Sequence, residues 1–219
     1  MANSQEHGAL ALTPRFSRAV DYARQIHVGY RKGSTVPYMA HLLGVASLVM
    51  GESGHVPFPV TEEMVIAALL HDAVEDHPAE LAGGQADQQA ALAVLATEFG
   101  PRVAGLVGAV TNPPYAKDRD EHEQYREHVA DSLRDNPWAR VIKASDFTDN
   151  GAGLIHTTGP RLRRLADKYA PLVPVLRDLI ARPDTPLDAP VKQHILAQID
   201  RAADRFAAVQ GDTGRGDAG

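Results

Sequence analysis

The sequence of 219 residues contains no cysteine. Disulfides, thiolate nucleophiles and every cysteine-containing zinc or iron–sulfur site are thereby excluded, and a reducing, cytoplasmic setting is expected. Long apolar runs are missing too. Uninterrupted apolar stretches reach only the length of Met64–Leu70, far short of the roughly 20 residues that span a bilayer as a helix. Residues Met1–Leu12 hold no positive side chain ahead of an apolar stretch, so no signal peptide is expected. Extended basic tracts are also absent. The chain carries 22 basic and 28 acidic residues for a net charge of −6. Residues 1–100 hold 5 basic against 11 acidic side chains, and residues 101–219 hold 17 of each. Non-specific nucleic-acid binding depends on basic surface that releases phosphate counterions, so neither a nucleic acid nor a membrane is an expected partner. A small anionic ligand stays compatible where a metal or a local arginine cluster supplies positive field. No feature specifies an oligomeric state.

Strand signals are lacking as well. No stretch alternates apolar and polar residues for long, and no Asn-Gly or Asp-Gly turn separates strand-like runs. What remains is helical periodicity almost throughout. Thr13-Pro14 reads as an N-cap followed by proline at the first helical position, opening a helix that runs toward Gly29. Further helices are expected over Tyr38–Met50, from Thr61 through His71 and on toward Asp76, and over Ala90–Phe99. Others follow from Pro101, over Asp118–Leu133, Pro137–Asn150, Pro160–Tyr169, Pro174–Ala181 and Pro190–Val209. The fold class is all-α, a multi-helix bundle without internal repeats. Loops are expected at 51–60, 77–88, 111–118 and 183–189. The domain organisation is a flexible N-terminus at 1–12, a single domain over 13–209 and a polar, glycine-rich disordered tail at 210–219.

The densest chemistry lies in His71-Asp72-Ala73-Val74-Glu75-Asp76, directly after the apolar run. On a continuous helix a spacing of four returns to nearly the same face, which stacks His71 on Glu75 and Asp72 on Asp76. A solvated helix end with capping carboxylates is the competing account. Burying such carboxylates is costly unless a metal or hydrogen bonds offset the desolvation. Lys143, Asp146 and Asn150 are three and four residues apart and share another helical face. His41, His71, Asp72 and Asp146 together form an N₂O₂ set suited to a divalent metal such as manganese, iron or zinc.

These residues are arranged in an order that resembles the H…HD…D signature of the HD phosphohydrolase superfamily. The segment His27-x-Gly29-x-Arg31-Lys32-Gly33…Pro37-Tyr38-x-x-His41 is similar to the opening of the (p)ppGpp hydrolase domain of Rel/SpoT-type enzymes. So are the His71-Asp72-x-Val74-Glu75-Asp76 hexad, Lys143-x-x-Asp146-x-x-x-Asn150 and Tyr169-Ala170-Pro171-Leu172, together spanning about residues 16–180. By length the chain is similar to the small, hydrolase-only alarmone enzymes. The resemblance implies an HD-domain helical bundle with a metal at its centre, hydrolysing the 3′-pyrophosphate of ppGpp or pppGpp to GDP or GTP and pyrophosphate. It implies His41, His71, Asp72 and Asp146 as metal ligands, and Glu75 and Asp76 as the groups that serve water and leaving oxygen.

A guanine nucleotide is the implied partner. Arg31 and Lys32 would grip it, with Ser34, Lys143 and Asn150 adding polar contacts. Tyr169 with Arg161 and Arg164 would close the pocket. His27, four residues before Arg31, reads as structural. Two departures leave the grip on pyrophosphate open: Ala144-Ser145-Asp146-Phe147 lacks the family's basic residue after the aspartate, and Val110-Thr111-Asn112-Pro113-Pro114 lacks the usual polar continuation. The rival readings are a superfamily phosphatase acting on NADPH or a deoxynucleotide, and a non-catalytic alarmone-binding module.

Overall fold

The computed structural model describes residues 10–32, 34–51, 60–154 and 160–211, with their side chains except at 151–161. Among the described residues every regular element is helical, and the one β-type pairing is an isolated bridge between Tyr30 and Pro37. None of the helices is long and apolar enough to cross a membrane. They fall into two compact units, the first running to Thr111 and taking in Pro186–Asp188, the second covering Asn112–Thr185 and the chain from Ala189 onward.

The first unit holds α1 (Pro14–Ile26), α2 (Tyr38–Gly51), α3 (Glu62–Leu69), α4 (Ala73–Asp76), α5 (Pro78–Leu81), α6 (Gln88–Phe99) and α7 (Pro101–Val110). Its centre is α3, which packs against α1, α2 and α7. Every residue from Met64 to Leu70 is at most 1% exposed. A helix apolar on all sides needs neighbours on all sides, and each large side chain so buried contributes about 1.5–3 kcal/mol. The polar start of α3 is tied down separately. Glu62 Oε1 accepts from Thr13 N at 2.6 Å and from Thr13 Oγ1 at 2.8 Å. Glu63 pairs with Arg15 at 3.3 Å, and Arg15 also donates to the Phe99 carbonyl. Gly100, at φ +88°, turns the chain between α6 and α7, a conformation that a Cβ would strain.

The second unit holds α8 (Glu121–Arg134), α9 (Pro137–Leu154), α10 (Pro160–Tyr169), α11 (Leu172–Ala181) and α12 (Ala189–Gly211). Here α9 is central, against α8, α11 and α12. Phe147, one of the departures from the resemblance, is buried edge-on to Tyr169 and Phe206 at 5.9 and 6.2 Å. It belongs to the packing of this unit.

Several helix limits differ from the sequence expectation for local reasons. Asp120 caps α8 by accepting from Glu123 N at 2.7 Å, so the helix starts after it and not at Asp118. Asp87 caps α6 by accepting from Gln89 N at 2.8 Å, two residues ahead of the expected start. Pro174 lies inside the first turn of α11, where a missing N–H breaks no helical bond. The stretch 77–88, expected as loop, contains the single turn α5 with proline at its first position. Residues 1–9, 52–59 and 212–219, which carry most of the expected N-terminus, first loop and tail, lie outside the described residues.

One buried cation fixes the position of α9. Arg140 is fully buried. Its Nε donates to the Leu133 carbonyl at 2.8 Å and its two Nη groups fork onto Asp184 at 2.9 and 3.0 Å, with Thr185 Oγ1 at 3.0 Å and the Arg134 carbonyl also accepting. Arg140, and after it Arg182, hold the Asp184 carboxyl well below the usual carboxylate range. Arg140→Met strips two carbonyls at the end of α8 of their donor, and an unmet buried acceptor costs about 1–3 kcal/mol. Chemical denaturation of this variant is expected to read a loss of about 3 kcal/mol, whereas Asp184→Asn, at a half-exposed site, costs less.

Candidate metal centre

The apolar helix α3 ends at a built stop. Leu70 leaves helical geometry at φ −102°, ψ 11°, and the N–H of Ala73 reaches back to the Leu70 carbonyl at 3.0 Å. The three-residue reach tightens Leu70–Asp72 into a turn, so His71 and Asp72 lie between two helices and not on one continuous helix as the sequence suggests. Asp72 and Asp76 remain one turn apart, with Asp76 N bonded to Asp72 O at 2.9 Å.

His71 is buried, and its Nδ1 is 2.8 Å from the Ala68 carbonyl. A carbonyl can only accept, so Nδ1 carries the proton and Nε2 presents its lone pair. That Nε2 is 3.2 Å from Asp72 Oδ2, and the Nε2 of buried His41, on α2, is 3.4 Å from the same oxygen. The two imidazoles meet at 5.1 Å and 73°. One donor atom from each of His41, His71 and Asp72 lies within 4.8 Å of the others. Two imidazoles and a carboxylate, one imidazole oriented by a backbone carbonyl, fit a divalent transition metal.

Beside this cluster stand Glu75, half-buried, and Asp76. Partial desolvation, then the charge of Asp72, pushes the Asp76 carboxyl above the ordinary carboxylate pKa. The Tyr38 hydroxyl lies 2.7 Å from Asp72 Oδ2 and 2.9 Å from Asp76 Oδ2. Burial and those two charges push its own pKa far up. Sequence reasoning met Tyr38 within the Pro37-Tyr38-x-x-His41 motif and gave it no role. Its spacing pointed to one: it precedes His41 by three residues, so both lie on one face of α2.

The other expected residues fall in two places. The loop before α2 turns at Gly29, φ +119°, and is closed by Tyr38 N to Gly29 O at 3.0 Å and Arg31 N to Val36 O at 2.8 Å. Arg31 is half-buried there and Lys32 exposed. The Ser34 hydroxyl accepts from Val36 N at 3.1 Å. In the second unit Asp146 is buried on α9, its Oδ2 paired with Lys143 Nζ at 3.0 Å and its Oδ1 accepting from Asn150 Nδ2 at 2.6 Å. The expected shared face of Lys143, Asp146 and Asn150 is thus present. Lys143 Nζ also stands 5.6 Å over the Tyr125 ring. Tyr169, closing α10, has Lys168 Nζ at 5.5 Å. The side chain of Arg161 lies outside the described residues.

Comparison with known proteins gives these positions a context. The sequence profile of the HD domain matches residues 19–135. The chain is 31% identical over 160 residues to guanosine-3′,5′-bis(diphosphate) 3′-pyrophosphohydrolase of Aquifex aeolicus, covering 71% of this chain and 20% of that protein. It therefore spans about a fifth of the length of such long relatives. It is 30% identical over 139 residues to the Drosophila melanogaster pyrophosphohydrolase MESH1, covering 62% of this chain and 67% of that one. A solved structure, a metazoan ortholog of SpoT described as hydrolysing ppGpp, superposes with a TM-score of 0.62 at 23% identity, over 93% of this chain and 99% of its own. That likeness shows a common fold. With the signature histidines and Asp72 meeting inside the matched region, the chain belongs to the HD domain family.

Proposed function

We propose that this chain is a metal-dependent hydrolase of ppGpp and pppGpp, degrading the stringent-response alarmone in the cytoplasm to GDP or GTP and pyrophosphate. What most supports this is the meeting of His41 Nε2, His71 Nε2 and Asp72 Oδ2 one turn ahead of Glu75 and Asp76. The names of the relatives agree with it. Asp146 is the fourth member of the donor set in this reading. Manganese is the assigned metal. When bound, a divalent ion supplies Lewis-acid neutralisation of phosphate charge and a water of lowered pKa.

The remaining steps belong to the protein. Glu75 or Asp76 takes a proton from the attacking water, whose oxygen forms a bond to the phosphorus next to the ribose 3′-oxygen. The P–O3′ bond breaks, pyrophosphate leaves and the 3′-oxygen takes a proton, so one water is consumed per nucleotide. An Asp76 carboxyl raised above its ordinary pKa is a better base than a free aspartate. Arg31 and Lys32 hold phosphate or base, with Ser34, Lys143, Asn150, Arg161 and Tyr169 as further nucleotide contacts.

Incubation with ppGpp and manganese, with products resolved, tests the reading. Pyrophosphate and GDP are expected. Orthophosphate, or turnover only of NADPH or a deoxynucleotide, would identify another phosphohydrolase, and binding without turnover an alarmone-binding module. Chelation should abolish activity, and His71→Ala and Asp146→Ala should each lose bound metal by elemental analysis. A full metal complement with wild-type turnover in either variant would overturn the ligand assignment.

Glu75→Gln and Asp76→Asn keep side-chain shape but cannot accept a proton at neutral pH. Each is expected to lower kcat by about 10²–10⁴. Because the folded Asp76 carboxyl is raised, ionising it at pH 7 is less favourable in the folded than in the unfolded chain, so Asp76→Asn should not lower the melting temperature there. A residue with only a helix-capping role would show the opposite pattern, lost stability and intact rate.

Arg31→Ala should raise KM for ppGpp more than it lowers kcat, the signature of binding energy expressed equally in ground and transition states. An unchanged KM removes Arg31 from the nucleotide site.

A further inference from the structure

The α4 helix is a single turn. It is held by Asp76 N to Asp72 O at 2.9 Å and His77 N to Ala73 O at 3.1 Å, and the chain leaves helical geometry at His77, φ −132°, ψ 42°. A turn this short places its side chains loosely. Asp72 and Asp76, like charges four residues apart, also repel one another along its face. Yet both send an Oδ2 to one hydroxyl, that of Tyr38, 34 and 38 residues away in sequence. The Asp72 oxygen involved is the one that faces His41 and His71.

The phenol is itself braced. Its ring lies flat on His27, centroids 4.9 Å apart and planes at 7°, and edge-on to His41 at 5.8 Å. His27 in turn meets His77, the residue after Asp76, at 4.5 Å and 88°. His27 is only 4% exposed, and neither of its ring nitrogens has a hydrogen-bond partner. Its imidazole serves as a flat surface beneath Tyr38 and not as a donor or acceptor.

We infer that Tyr38 is a positioning residue whose hydroxyl holds the metal-binding carboxylate Asp72 and the water-activating carboxylate Asp76 at a fixed separation, so that both address the same reacting centre. The inference rests on the hydrolase reading above for the role of Asp76. Outer partners of this kind tune ligand orientation, and their loss typically costs about 10–100-fold in metal affinity or activity.

Tyr38→Phe keeps the ring and its stack on His27 and removes only the hydroxyl. Titration calorimetry of manganese into metal-stripped protein should read a dissociation constant raised about 10-fold. With manganese saturating, kcat on ppGpp should fall about 10–100-fold while KM and the melting temperature stay near wild type. In the double variant with Asp76→Asn the losses should be clearly less than multiplicative, because one acts through the other. Wild-type manganese affinity and kcat in Tyr38→Phe would overturn the inference. So would a collapse in melting temperature, which assigns the hydroxyl to stability, or fully multiplicative losses, which detach it from Asp76. If the wild type leaves ppGpp intact, the hydrolase reading fails by itself, and the calorimetric comparison still decides whether Tyr38 orders Asp72. A wild type that binds no manganese overturns both.

Discussion

Seven buried apolar residues in succession, Met64–Leu70, hold the polar cluster of the first unit where it is. Because α3 is packed on all sides, its end cannot slide or rotate without opening the core, and interiors at crystalline packing density resist such shifts. His71 and Asp72 are the next two residues. Their precision is therefore borrowed from hydrophobic packing, with the Ala68 carbonyl fixing the last degree of freedom of the imidazole. Glu62 and Glu63 secure the other end of the same helix through Thr13 and Arg15. Charged groups thus flank the apolar rod of α3 at both ends.

The second unit solves a similar problem with charge. Lys143 and Asp146 are both buried, and an isolated ion pair in such a place repays its desolvation only with good geometry and further hydrogen bonds. Asn150 on one carboxylate oxygen and the Tyr125 ring beneath the ammonium supply those extras. Arg140 follows the same pattern one turn earlier on α9, with the N–H groups along each edge of its guanidinium answered by a carboxylate, a hydroxyl or a carbonyl. The buried cations lock α9 in register.

Much of this was legible in the sequence, for reasons that can be named. Helical periodicity, proline at helix starts and the lack of strand alternation gave an all-α chain, and limits moved by a few residues where Asp87 and Asp120 cap one turn away from the expected place. His41, His71 and Asp72 could be read as a set because imidazole and carboxylate together suit a divalent metal and their order resembles the H…HD…D signature. The turn at Leu70–Asp72 could not, since nothing in Leu70 forbids helix and the tightening comes from tertiary packing. The role of Tyr38 escaped for another reason. A tyrosine beside apolar residues reads as ordinary core, and the two carboxylates that define its role lie more than thirty positions away. Phe147 was legible as a departure, but only the rings of Tyr169 and Phe206 reveal that it turns into the packing.

The unanswered imidazole of His27 has a cost that depends on acidity. Burial, with neighbouring His77 adding to it, lowers its pKa to about 4 from an ordinary value near 6.5. Between those limits the unfolded chain takes up a proton that the folded one refuses, so acidification favours unfolding across that window. Above the ordinary imidazole pKa the ring is mostly uncharged in both states and the term becomes small. The same refusal keeps one more positive charge away from a cluster suited to a cation. A ring chosen for flatness thereby makes the first unit sensitive to acid while leaving its field unspoiled.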